Sequence, residues 1–196
     1  MSEELERILG FVVEIEKLKN VLRKSRPIGM DRYENAGEHS WHVCLVALAL
    51  RQYANHPVNI DRVIRMLLIH DLGEIDAGDV IVYHAATPEN QAKEAAGASR
   101  IFSLLPEHLR NEFSALWTEF ETAASDDARY ARAIDRLPAL LQNLHGDGHT
   151  WRKHGISAEQ ILALNSRINS GSTALWQHLE ALLRDAFAGG LLTPRS

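Results

Sequence analysis

Apolar residues recur at helical spacing along nearly the whole chain. Leu5, Ile8, Leu9, Val12, Ile15, Leu18 and Leu22 fall three or four apart, which predicts an amphipathic helix over roughly 3–24. Pro27, Gly29 and Gly37 mark 25–37 as a loop. A long, largely apolar helix is expected over Glu38 to Tyr53. Asn59 suits the N-cap of a helix from about 60 to 73, and its Ile60, Val63, Ile64, Leu67, Leu68 and Ile69 cover more than one face, so it belongs at the centre. Thr87 and Pro88 set the cap and first turn of a helix to about Leu105. Pro106 starts another that ends near Thr122. Ser125, Asp126 and Asp127 open a helix through Asn143. Ser157 and Gln160 form a capping box, and Ser172 opens a last helix that stops at Gly189-Gly190. Only Val80-Ile81-Val82-Tyr83 hints at a strand. The expectation is an all-α fold, one domain over 1–196 with about eight helices.

Composition narrows the function. Apolar residues at 45% supply a full core, and no run reaches the roughly 18 residues of a membrane span. The acidic N-terminus does not read as a signal peptide. Cys44 is the single cysteine, which rules out an internal disulfide and a cysteine-rich zinc site and fits a cytoplasmic, reducing setting. A net charge of −5 argues against a nucleic-acid polymer as partner. One stretch differs: Lys17, Lys19, Arg23, Lys24, Arg26 and Arg32 stand against Asp31 alone. That cluster is either a solvated face or an anion site.

The chemistry concentrates in MLLIHDLGEIDAGD, residues 66–79, where an apolar run meets His70, Asp71, Glu74, Asp76 and Asp79. Burying such charges is costly unless they are paired, neutralised or bound to a metal. Suitable partners lie elsewhere. His39 stands at the start of the preceding helix in GEHSWH, with His42 three residues on as a second ligand or a packed histidine. Asp135 in AIDRLPALL is either a surface partner of Arg132 or Arg136, or a placed carboxylate beside the kink expected at Pro138. His145 and His149 in HGDGH read as turn residues, and the remaining histidines as exposed. Two imidazoles with two carboxylates form a mixed nitrogen and oxygen set suited to a first-row divalent ion.

His39, then His70-Asp71, then Asp135 resembles the H…HD…D signature of the HD-domain metal-dependent phosphohydrolases. GEHSWHVCLVALAL, MLLIHDLGEIDAGD, LLPEHLRNEFSALWTEFET and RAIDRLPALLQN, over residues 5–145, resemble the branch that includes the 5′-deoxynucleotidases. The resemblance implies a helical domain, commonly a homodimer, that removes phosphate from deoxynucleoside 5′-monophosphates with one divalent ion; Mn, Co, Mg, Ni, Zn and Fe are the candidates. It implies His39, His70, Asp71 and Asp135 as metal ligands, Glu74 and Asp79 as the acids near the reacting phosphate and attacking water, and Arg23 as a phosphate contact. Lys24 stands where that branch can have Trp, and the loop up to Glu38 is one residue longer.

The expected function is hydrolysis of a (deoxy)nucleoside 5′-monophosphate or a similar small phosphomonoester. Arg23, Lys24 and Arg32 are expected to meet the phosphate, with arginine in bidentate fashion. Two other readings share the centre: a nucleotide pyrophosphohydrolase, and a catalytically silent, nucleotide-binding regulatory domain. Residues 146–196 lie outside the strongest match, and their helices, about 157–188, either pack on the core or form a dimer surface.

Overall fold

The computed structural model describes residues 3–81, 83 and 87–192. Among them the chain is helical: α1 (Glu3–Ile15), α2 (Ala36–Leu50), α3 (Ile60–Ile69), α4 (Glu74–Ala77), α5 (Pro88–Ser103), α6 (Glu107–Thr122), α7 (Asp126–His145), α8 (His149–Lys153), α9 (Ala158–Asn165) and α10 (Thr173–Ala188). The expected strand falls partly on residue 82, outside the described residues, and Val80, Ile81 and Tyr83 carry no strand.

Most helix starts lie where the cap chemistry put them. The side chains of Asn59, Thr87, Ser125 and Ser172 accept from backbone N–H groups of their first turns, and Ser157 with Gln160 closes the capping box. Three expectations are corrected. The first helix stops at Ile15 and tightens into a 3₁₀ turn over Glu16–Asn20, and its apolar stripe is only partly covered: Phe11 and Leu18 are buried while Leu5, Leu9, Val12 and Val13 stay exposed. α2 begins at Ala36, two residues early, because Asn35 caps it by accepting from the Glu38 N–H at 2.9 Å. The helix expected over 60–73 breaks at Ile69 into a 3₁₀ turn, His70–Gly73, and then α4.

α7 is the spine. Its Ala128, Ala131 and Ile134 pack into one apolar cluster with Val63, Met66 and Leu67 of α3 and Val43 and Ala47 of α2. Its Ala133, Leu137 and Leu140 pack into a second with Trp151, Ile161, Ile168, Trp176, Leu179 and Leu183. The C-terminal helices therefore lie on the core, one of the two alternatives left open by the sequence. Each fully buried Leu or Ile in these clusters contributes on the order of 2 kcal/mol. α7 is continuous through Pro138, whose missing N–H is absorbed within the packed helix. The Tyr130 hydroxyl donates to the Ala47 carbonyl at 2.9 Å and ties the spine to α2. Among the described residues no helix is long and apolar enough to cross a membrane.

Candidate metal centre

The site forms where α2, the end of α3 and the middle of α7 meet. His39 comes from the first turn of α2 and is fully buried. His70 and Asp71 come from the 3₁₀ turn that ends α3; both are buried, and the indole N–H of Trp117 holds that turn by donating to the His70 carbonyl at 3.1 Å. Asp135 comes from the cavity side of α7. Donor atoms of His39, His70 and Asp135 all lie within 4.8 Å of one another. His39 Nε2 is 2.8 Å from Asp135 Oδ1, and His70 Nε2 is 3.3 Å from the same oxygen and 3.0 Å from Asp71 Oδ1. Asp71 thus joins the group from its side, while its Oδ2 accepts from Arg23 Nη1 at 2.7 Å.

The His70 tautomer decides what this group can hold. Its Nδ1 lies 2.7 Å from the Leu67 carbonyl, which can only accept, so Nδ1 carries the proton. Nε2 of the neutral ring is then a lone pair facing two carboxylate oxygens, and it is buried without a hydrogen-bond partner. A proton on Nε2, which makes the ring an imidazolium, or a metal ion in that proton's place reconciles those three atoms. Burial pulls the His70 pKa down, but Asp71 and Asp135 outweigh it and push it up to about 9. Asp135 moves the other way: burial raises it, while His39 and His70 hold it well below the usual carboxylate range. Two imidazoles and adjacent carboxylates are a donor set for a first-row divalent ion, and the fixed Nδ1–H leaves His70 Nε2 as its ligand atom.

A cavity of about 270 Å³ opens over the group. Arg23, Lys24, Glu74 and Asp79 line it together with His70, Asp71 and Asp135. Burial first, then Asp71 and Asp79, raises the Glu74 carboxyl well above its ordinary value against the pull of Arg23. Asp79 is raised by burial and Asp71, against Arg23 and Lys24. Glu74 Oε2 and Asp79 Oδ2 are both buried without a hydrogen-bond partner. Gly78, at φ 73°, turns the chain so that Asp79 returns to the cavity. Asp76 turns away and pairs with Arg100.

One expectation about a basic side chain needs correction. Arg32 does not line the cavity; its guanidinium makes a bidentate pair with Glu38 at the surface, 2.8 and 2.7 Å. His42 stays outside the cluster, its ring beside the exposed Trp41. Three acids went unrecognised. Glu34 is buried, with Oε1 accepting from Gln142 Nε2 at 2.9 Å and Oε2 lying 3.5 Å from His39 Nδ1. Glu94 and Glu121 line the cavity. Burial, Glu121 and Asp71 push Glu94 up to about 7. Glu34 lies in the loop before α2, Glu94 inside α5 and Glu121 in the last turn of α6, and none of these positions carries a sequence signal for this.

The fold and the site together define a helical protein built around a His/Asp centre for a divalent cation. The profile of the HD domain matches residues 15–176, and the chain belongs to that family. The mouse 5′-deoxynucleotidase HDDC2 is 30% identical over 137 residues, 69% of this chain and 67% of that protein. A 5′-deoxynucleotidase of Vibrio cholerae is 32% identical over 120 residues, 57% of this chain and 61% of its own. Among solved structures, a predicted metal-dependent phosphohydrolase from Magnetospirillum magnetotacticum MS-1 superposes with a TM-score of 0.91 at 42% identity, covering 98% of this chain and 100% of that one.

Proposed function

We propose that this chain is a metal-dependent phosphohydrolase acting on a (deoxy)nucleoside 5′-monophosphate or a similar small phosphomonoester. The names of its relatives support the reaction class. The observation that carries it is the placement of His70 Nε2 against two carboxylate oxygens beneath a cavity that Arg23 also lines. In this reading His39, His70, Asp71 and Asp135 hold the ion. When bound, the ion supplies positive charge for the phosphoryl oxygens and acidifies water. Its identity, among Mn, Co, Mg, Ni, Zn and Fe, is left to experiment.

The chain's own residues do the rest. Arg23 is half-buried and held by Asp71, so its position is fixed before substrate arrives, and its charge faces the phosphate dianion. Lys24 adds a second, exposed cation at the rim. Glu74 Oε2 and Asp79 Oδ2 lack hydrogen-bond partners in the same cavity, and burial favours the protonated form of one of the two carboxyls. That is the requirement for a proton donor to the leaving alkoxide, while an ionised partner takes a proton from the attacking water. The water oxygen bonds to phosphorus, the phosphorus–ester oxygen bond breaks, and the alcohol and orthophosphate leave.

The proposed setting is the cytoplasm, which the lone, buried Cys44 supports. The proposed assembly is a homodimer, for which the exposed Trp41, Leu45 and Leu48 along one face of α2 are the support. The decisive test is phosphate release from a panel of nucleoside monophosphates with Mn, Co, Mg and Ni in parallel. Asp71→Ala is expected to lose on the order of a thousandfold or more in turnover while keeping its helical circular dichroism. Undiminished turnover, or pyrophosphate as the product from a triphosphate, would overturn the reading.

A further inference from the structure

The cavity contains a second basic group that the hydrolytic centre does not use. Arg132, Arg136, Ala139, Leu140 and Asn143 line it from one stripe of α7, and Asn165 and Arg167 line it from the C-terminal segment. Arg132 is engaged, donating to the carbonyls of Phe120 and Glu121 at 3.0 and 2.9 Å. Arg136 and Arg167 are not: among the described residues neither guanidinium makes a hydrogen bond or an ion pair. Arg136 is half-buried and Arg167 exposed, and Arg132 and Arg167 lie near enough to Arg136 to act on it as like charges. Its one nearby carboxylate, Asp135, is committed to His39 and His70. Guanidiniums gathered at a cavity wall, two of them without a partner, favour an anion between them.

A third group points the same way. The Tyr83 hydroxyl lines this part of the cavity and accepts from Trp151 Nε1 at 3.0 Å and Asn165 Nδ2 at 3.4 Å. With both neighbours donating, its own O–H is free to donate. Arg23 and Lys24 stand among different partners, Asp71 and Asp79, so the two basic groups serve different parts of a ligand.

We propose that Arg136 and Arg167, with the Tyr83 hydroxyl, form a second anion subsite, and that the preferred substrate is a phosphomonoester carrying a second phosphate. The assignment of the first phosphate to the centre below rests on the phosphohydrolase reading; the subsite itself does not. Two guanidiniums and a hydroxyl match a phosphate dianion in charge and in donor count.

The test compares deoxyadenosine 5′-monophosphate with deoxyadenosine 3′,5′-bisphosphate on the Mn-loaded protein, by KM and by calorimetric affinity in Glu74→Gln. The bisphosphate is expected to bind at least about tenfold more tightly. Arg167→Gln and Arg136→Gln are expected to bring that ratio close to one, and Arg167→Lys to retain much of it. Circular dichroism melts confirm that each variant is folded. Equal affinity for the two probes in the parent protein, or a ratio that survives both glutamine variants, overturns the proposal. So does discrimination among bases of 5′-monophosphates with no gain from the 3′-phosphate, because the subsite would then read the base. Tighter, arginine-dependent bisphosphate binding without turnover leaves the subsite standing and removes the hydrolase reading instead.

Discussion

The Glu34 carboxylate reaches three partners at once: Gln142 Nε2 at 2.9 Å, Arg23 Nε at 3.6 Å and His39 Nδ1 at 3.5 Å. Burial favours its neutral form, but His39, Arg23 and Gln142 outweigh that and keep it ionised. With a cation on His39 Nε2, the ring proton sits on Nδ1, where Glu34 is the acceptor that fixes tautomer and orientation. Glu34→Ala is therefore expected to weaken Mn binding by roughly 10–100-fold with the helical signal retained, as titration calorimetry would register; unchanged affinity removes Glu34 from this role. Sequence pattern alone does not lead to Glu34. It meets Arg23 because two extended segments pair through Arg23 N–H to Glu34 O at 2.8 Å and Glu34 N–H to Ser25 O at 3.1 Å, and such short pairings leave no periodicity. His39, His70, Asp71 and Asp135 stand out as candidates because such side chains are costly in apolar helices, and it is the resemblance to the HD signature that joins them into one set. Arg32 was misread because a count of nearby charges does not say which way one points, and Glu38 captures it.

At the scale of elements, the tight turn over His70–Gly73 and the middle of α5 cross with backbones in contact. A Cβ on Gly97 would stand 2.4 Å from the Gly73 carbonyl oxygen, and one on Gly73 would stand 2.5 Å from that of Glu94. This crossing carries Glu94 into the cavity beside the turn that carries His70 and Asp71. Gly97→Ala must push the two segments apart, so a loss of about 1–3 kcal/mol in chemical denaturation is expected, together with weaker metal binding; a variant as stable as the parent would show that the crossing is not tight. Helix starts were readable from Asn, Thr and Ser caps because the cap is a local hydrogen bond. The break at Ile69 was not, because Leu72 keeps helical spacing with Leu68 and Ile69 and only Gly73 weakens it; the 3₁₀ turn is held by tertiary contacts such as Trp117 to His70. The same limit hid the end of α1 at Ile15, where the periodic pattern runs on to Leu22.

Across the whole molecule, α7 is shared by both apolar clusters, which supports the proposal that 1–196 is one domain and predicts a single cooperative unfolding transition. Its pH dependence follows from the carboxyl and imidazole groups. Glu94 at about 7 and His70 at about 9 both exceed their ordinary values of 4.5 and 6.5, so the folded chain binds their protons more tightly than the unfolded chain. The stability they contribute is complete below those ordinary values and is lost as pH rises through 7 and then 9. In protein stripped of divalent ions, the melting temperature is expected to fall between about pH 6 and 9 by on the order of 5 °C; a flat profile would contradict the electrostatics of the centre. All-α architecture was plain from the periodicity. The contribution of Asn165 and Arg167 to the cavity was not, because it depends on how the last helices fold back over α7. The distance between His39 and Asp135 along the chain, 96 residues, has a practical consequence. An ion gripping both ends of so long a loop fastens α2 to α7, so it acts as a clamp on the native state and raises the melting point by mass action, about 2.7 kcal/mol at a hundredfold excess over its dissociation constant. Ranking ions by how far each delays melting therefore identifies the preferred metal before any substrate is known.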